Sequence, residues 1–134
     1  MIFELLVSLI ISRPIEIDFK HYLEPHKQVQ VKQTFGECVA FVKKKLGIKE
    51  HLGVQYAKQI VNLPQFKKIT DPRGGDIVVA PKISKTGHVS YILYNENGRL
   101  RIQDSNLFGD KVVREYWLDS YFKSSQVVFL RYNI

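Results

Sequence analysis

The chain is poor in sulfur and has no long apolar run. One cysteine, Cys38, among 134 residues excludes an intrachain disulfide and leaves too few thiols for a zinc finger or an iron–sulfur site. The four histidines, His21, His26, His51 and His88, include no i, i+4 pair of the kind that holds a metal on one helix face. No Asp-x-Asp-x-Asp-Gly calcium loop is present either, so no metal and no cofactor is expected. No segment approaches the roughly 18 uninterrupted apolar residues of a membrane span, which excludes a transmembrane helical bundle. Internal repeats and low-complexity tracts are also missing.

What is present is an ordinary globular composition with a basic excess: 45% hydrophobic residues, and 20 Lys+Arg against 13 Asp+Glu for a net charge of +7. This length argues for one domain, able to hide about two-thirds of its unfolded surface without staples. Disorder is excluded by the same composition. Met1 to Ile11 is apolar apart from Glu4 and Ser8. No basic residue precedes it and no small-x-small cleavage site comes before Arg13-Pro14, so it makes a poor secretion signal. Residues 1–33 are expected to form an N-terminal extension that packs on the domain or acts as a weak anchor, and residues 34–134 the domain itself.

Phe35, Cys38, Val39, Val42 and Leu46 recur at helical steps and predict a helix over 34–46. Thr34 and Glu37 match a capping box at its start, while Lys43, Lys44 and Lys45 suit the dipole at its end and Gly47 the left-handed closing position. A shorter helix is predicted over 54–61, ended by Pro64. Beyond the turn cluster Asp71-Pro72-Arg73-Gly74-Gly75 the pattern changes to strands at 76–80, 88–94, 100–104 and 126–132. Helices followed by an antiparallel sheet of about four to six strands predict an α+β domain, with N-terminal helices packed on the sheet.

Near the head of its helix, Cys38 would sit at the positive end of the dipole beside unpaired amides, a setting that favours the nucleophilic thiolate. It also shares an apolar stripe with Val39 and Val42, where a free cysteine is commonly buried filler. The hairpin bears on this choice. A three-residue loop, Glu96-Asn97-Gly98, pairs His88 with Asn106, Ser90 with Asp104, Ile92 with Ile102 and Tyr94 with Leu100, gathering His88, Asp104 and Asn106 at the open end of one sheet face. A two-residue Asn97-Gly98 turn instead pairs His88 with Leu107 and puts it on the face opposite Asp104. A cysteine nucleophile needs an imidazole to carry its proton, and that imidazole needs an acceptor to fix its orientation. Cys38, His88 and either Asp104 or Asn106 supply these roles, although a surface histidine beside a turn accounts for His88 equally well.

Four blocks, Gly36-Glu37-Cys38-Val39-Ala40-Phe41-Val42, Gly75-Asp76-Ile77-Val78-Val79, Gly87-His88-Val89-Ser90-Tyr91-Ile92 and Gln103-Asp104-Ser105-Asn106, resemble in order those of CHAP domains, the cysteine, histidine-dependent amidohydrolases and peptidases related to NlpC. The resemblance implies a papain-like core and hydrolysis of a peptidoglycan amide, either at the glycan–peptide junction or within stem peptides and cross-bridges. It implies Cys38 as nucleophile and His88 as base, with Asp104 or Asn106 as the orienting group. Many CHAP domains carry Gln before the cysteine where this chain has Glu37. Gly75 and Asp76 are expected to open a central strand and to take no part in catalysis.

The implied partners are peptidoglycan stem peptides, with anionic wall polymers drawn by the basic surface. The implied location is the cell envelope, the extracellular space or a virion, as for a phage lysin or a subunit of a secretion-associated assembly. Two other classes compete. A basic nucleic-acid-binding module fits the charge, but no RNP-type, KH-type or zinc-finger signature accompanies it. A catalytically inactive CHAP-like structural subunit of a larger assembly fits the blocks, although retention of Cys, His and an acceptor disfavours it.

Overall fold

The structure is a computed structural model that describes residues 30–34 and 37–133. Of the expected N-terminal extension, residues 1–33, positions 1–29 lie outside the described residues, as do Phe35, Gly36 and Ile134. Among the described residues seven strands form one sheet: β1 (Gln30–Thr34), β2 (Phe66–Ile69), β3 (Ile77–Ala80), β4 (His88–Glu96), β5 (Arg99–Ser105), β6 (Val112–Trp117) and β7 (Val128–Tyr132). Their spatial order is β1-β6-β5-β4-β3-β7-β2, and every pairing is antiparallel.

This corrects the expected fold class. The molecule is sheet-dominated, not an α+β papain-like core with N-terminal helices packed on the sheet. Among the described residues there is one α-helix, α1 (Cys38–Leu46), with short 3₁₀ turns at Ala57–Asn62, Leu118–Ser120 and Ser124–Gln126. Two local causes are visible. Thr34 is the last residue of β1, paired with Val112 of β6, so it does not cap a helix. The α-helix begins only at Cys38, with Glu37 extended (φ −80°, ψ 159°) at the N-cap position and making no side-chain cap. The segment expected to be helical over 54–61 follows Gly53 at φ 75°. The Gln59 side-chain oxygen accepts the amides of Gln55 and Tyr56, both at 2.8 Å, and this starts a tighter 3₁₀ turn at Ala57.

The sheet is covered on both faces. On one, Phe41 and Val42 of α1 and Ile60 of the first 3₁₀ turn pack on Ile77, Val79, Val89, Val113 and Leu130. On the other, Val78, Ala80, Ile92, Ile102, Tyr116 and Phe122 form a second cluster. Every residue of β3 is buried, as expected for an uninterrupted apolar run lying between two neighbouring strands. Asp76, at its mouth, accepts both ends of the Arg131 fork at 2.8 Å each, tying β3 to β7 by a bidentate pair.

The β4–β5 hairpin combines both anticipated registers. Asn97 (φ 54°) and Gly98 (φ 93°) make a two-residue turn, consistent with the type I′ preference for Asn-Gly, and pair Glu96 with Arg99 and Tyr94 with Arg101. The expected Tyr94–Leu100 pair is therefore absent. A β-bulge between Ile92 and Tyr94 then restores the other register, with Ile92 opposite Ile102 and Tyr91 opposite Gln103. The bulge points the Leu93 carbonyl at Gly74, where a Cβ would lie 2.6 Å from the oxygen. Its effect is to return His88 and Asp104 to one face.

Candidate active site

Each chemical group arrives on a different element. Cys38 is the first residue of α1 and is half-buried. His88 opens β4 and Asp104 lies near the end of β5; they are 6% and 0% exposed. His88 Nε2 is 2.8 Å from Asp104 Oδ2, and Cys38 and His88 line the same cleft. With Nε2 held by the carboxylate, Nδ1 is the ring nitrogen left for sulfur.

Burial presses the imidazolium toward deprotonation, but hydrogen bonds and charge from Asp104 and Cys38 outweigh it, and the His88 pKa rises from 6.5 to about 9. Protonated at neutral pH, the ring is equipped to hold a thiolate and then to give its proton to a departing amine. Phe122 stacks on it nearly parallel, at 8° with centroids 6.4 Å apart.

Asp104 is itself fixed. Its Oδ2 also accepts the Ser90 hydroxyl at 2.9 Å and the Tyr116 hydroxyl. Tyr116 is fully buried, and desolvation followed by the Asp104 charge pushes its pKa well above the usual value of 10, so it stays a donor. Sequence reasoning named Ser90 as the neighbour of Asp104 but missed Tyr116. Period-two alternation is missing from its strand, where Arg114 and Glu115 separate the buried Val113 and Tyr116.

Asn106 makes no hydrogen bond to His88. It has φ 70°, its Oδ1 accepts the Lys111 amide at 2.7 Å and its own amide donates to the Val112 carbonyl at 3.0 Å. It shapes the loop between β5 and β6 and lines the cleft, and of the two candidates only Asp104 has a hydrogen bond to His88.

The cleft has a volume of about 690 Å³ and runs past Cys38 and His88 between Tyr56, Ile83 and Leu107. The first amides of α1 have no intrahelical acceptor, and Glu37 does not cap them. Glu37, Cys38 and Val39, at the head of α1, line the cleft, and free amides at such a helix head are the kind of donor an oxyanion needs. Gly87 sets the entry to β4: at φ 76°, a Cβ there would lie 2.8 Å from the Lys58 Cβ and 3.0 Å from the Lys58 amide nitrogen. Among the described residues no group of three or more His, Cys, Asp or Glu side chains is placed to hold a metal ion. No helix among them is long and apolar enough to cross a membrane.

No family model and no curated protein matches the chain. Among solved structures, the crystal structure of Ly7917 is similar, with a TM-score of 0.55 at 19% identity over 76% of this chain and 56% of that one. The chain spans a little over half the length of that structure, and the likeness is one of fold.

Proposed function

We propose that the chain is a cysteine amidase or endopeptidase of the CHAP kind that cleaves an amide bond of peptidoglycan. The observation that carries this reading is the placing of Cys38 and His88 in one open cleft, with Asp104 buried behind the imidazole and bonded to it. The order of the four sequence blocks supports the substrate class.

In the proposed reaction the Cys38 thiolate attacks a peptide carbonyl carbon, and the amides at the head of α1 stabilise the oxyanion. The His88 imidazolium gives its proton to the departing amine as the C–N bond breaks, leaving a thioester on Cys38. Neutral His88 then takes a proton from water, hydroxide adds to the thioester carbonyl, and the acid leaves as the thiolate–imidazolium pair is restored. Asp104 holds the ring throughout. The +7 net charge favours approach to anionic wall polymers, and the site of action is the cell envelope, the extracellular space or a virion.

The test is mass spectrometry of muropeptides released from purified walls by the wild type and by Cys38→Ala. New amino and carboxyl termini from the wild type alone support the reading. Equal release by both variants ends the thiol mechanism, and no release by either ends the hydrolase reading.

A further inference from the structure

The cleft does not share the Lys and Arg excess of the molecule. None of the 20 Lys and Arg residues is among the described residues lining the cleft, and the one Asp or Glu side chain among them is Glu37, directly before Cys38. Apart from the His88 imidazolium, the remaining walls are neutral, built from residues such as Gln55, Tyr56, Ser84, Thr86 and Leu107. Lys58, whose ammonium lies over the Tyr56 ring at 5.7 Å from its centroid, does not line the cleft. Lys43, Lys44 and Lys45 lie in the last turn of α1, roughly two helical turns from Cys38.

Glu37 is also unspent within the protein. It is exposed and extended, leaves the α1 amides uncapped, and forms no ion pair among the described residues. A carboxylate beside a thiolate works against that thiolate by like-charge repulsion. A substrate cation relieves the repulsion by standing between the cleft wall and the reacting bond.

We infer that Glu37 selects substrates carrying a free ammonium group next to the scissile amide, the chemistry of the diamino acid of a stem peptide. This rests on the proposed peptidoglycan reading and narrows it. The basic outer surface attracts anionic polymer, while the cleft takes a cationic peptide segment, so one molecule uses opposite charges at two length scales. An ion pair of this exposure favours its partner by up to about fivefold, and shelter inside a cleft raises this to about tenfold.

The test uses two synthetic probes, N-acetyl-L-Ala-γ-D-Glu-L-Lys amide with its ε-amine free or acetylated, titrated at low salt into Cys38→Ala and into Cys38→Ala/Glu37→Gln. The expected result is a five- to tenfold preference of Cys38→Ala for the free amine, lost with Glu37→Gln and weakened by added salt. Equal affinity for the two probes, a preference that survives Glu37→Gln, or binding of neither probe overturns the inference. Wall digestion by the wild type alongside such a failure leaves the hydrolase reading standing. Amine-selective binding without any wall digestion leaves the cation site standing and removes the hydrolase reading.

Discussion

Asp104 meets His88 through one oxygen only. Oδ2 accepts the ring nitrogen at 2.8 Å together with Ser90 and Tyr116, while the equally buried Oδ1 has no hydrogen-bond partner. A fully buried carboxylate with this lopsided set of donors is costly to keep charged, and its charge goes into holding the imidazolium. Asp104→Asn keeps the shape and removes the charge. It is expected to reduce turnover by about 10²- to 10⁴-fold and to pull the His88 pKa down from about 9. Single-turnover kinetics and NMR titration of the His88 ring check both; an unchanged ring titration refutes the electrostatic role.

The pH dependence has a definite sign. The His88 pKa in the folded protein, about 9, lies above its usual 6.5. The stabilisation from its protonated form is therefore complete below about pH 6.5 and disappears as the pH climbs through 9. A shift of this size corresponds to at most about 3 kcal/mol. Urea midpoints of the wild type are expected to fall between pH 6.5 and 9.5 more steeply than those of His88→Gln. Turnover should fall along a basic limb near pH 9, where the proton needed by the leaving amine is gone. A limb near 6.5 contradicts the arrangement.

The sequence made part of this site legible and hid the rest for local reasons. Cys38, His88 and Asp104 stood out because helix-head position and strand alternation are short-range signals, and the Ile92–Ile102 pair followed from hairpin arithmetic. The hairpin itself resisted, because its Asn97-Gly98 turn and the bulge at Leu93 each shift the register by one, and the bulge depends on Gly74 from a distant segment. The fold class failed for a similar reason. Thr34 is held in a strand by Val112, 78 residues downstream, and no local capping preference competes with a tertiary ladder. Asn106 was offered as an alternative orienting group because it lies two residues from Asp104, yet its left-handed backbone turns it into a loop former.

Gly87 tests how closely the site depends on the backbone leading into β4. At φ 76°, with Lys58 backbone and side-chain atoms within 2.8–3.1 Å of any added Cβ, alanine meets both torsional strain and a steric clash. Lys58 is itself held by the hydrogen bond its backbone N–H donates to the Thr86 carbonyl at 3.0 Å, so it has little room to retreat. Gly87→Ala is expected to cost about 2–3 kcal/mol, read from the urea midpoint. Any folded fraction should show reduced turnover, because His88 moves with its neighbour. A change under about 0.5 kcal/mol places the 3₁₀ turn too far from β4 to constrain it.

Tyr116→Phe isolates the remaining donor to Asp104. The ring is held edge-on by Tyr121 at 5.0 Å between centroids, so the phenylalanine keeps its packing and loses only the hydroxyl. Removing a hydrogen bond to a buried carboxylate should cost about 1.5–3 kcal/mol of stability. With one fewer donor sharing Oδ2, more of the Asp104 charge acts on the imidazolium, and the basic limb of the activity profile should move above pH 9. A purely structural tyrosine lowers stability and leaves that limb in place. Measuring the pH profile of kcat/KM beside the urea midpoint therefore separates a positioning role from packing, and a limb that stays or moves downward refutes the shared-oxygen account.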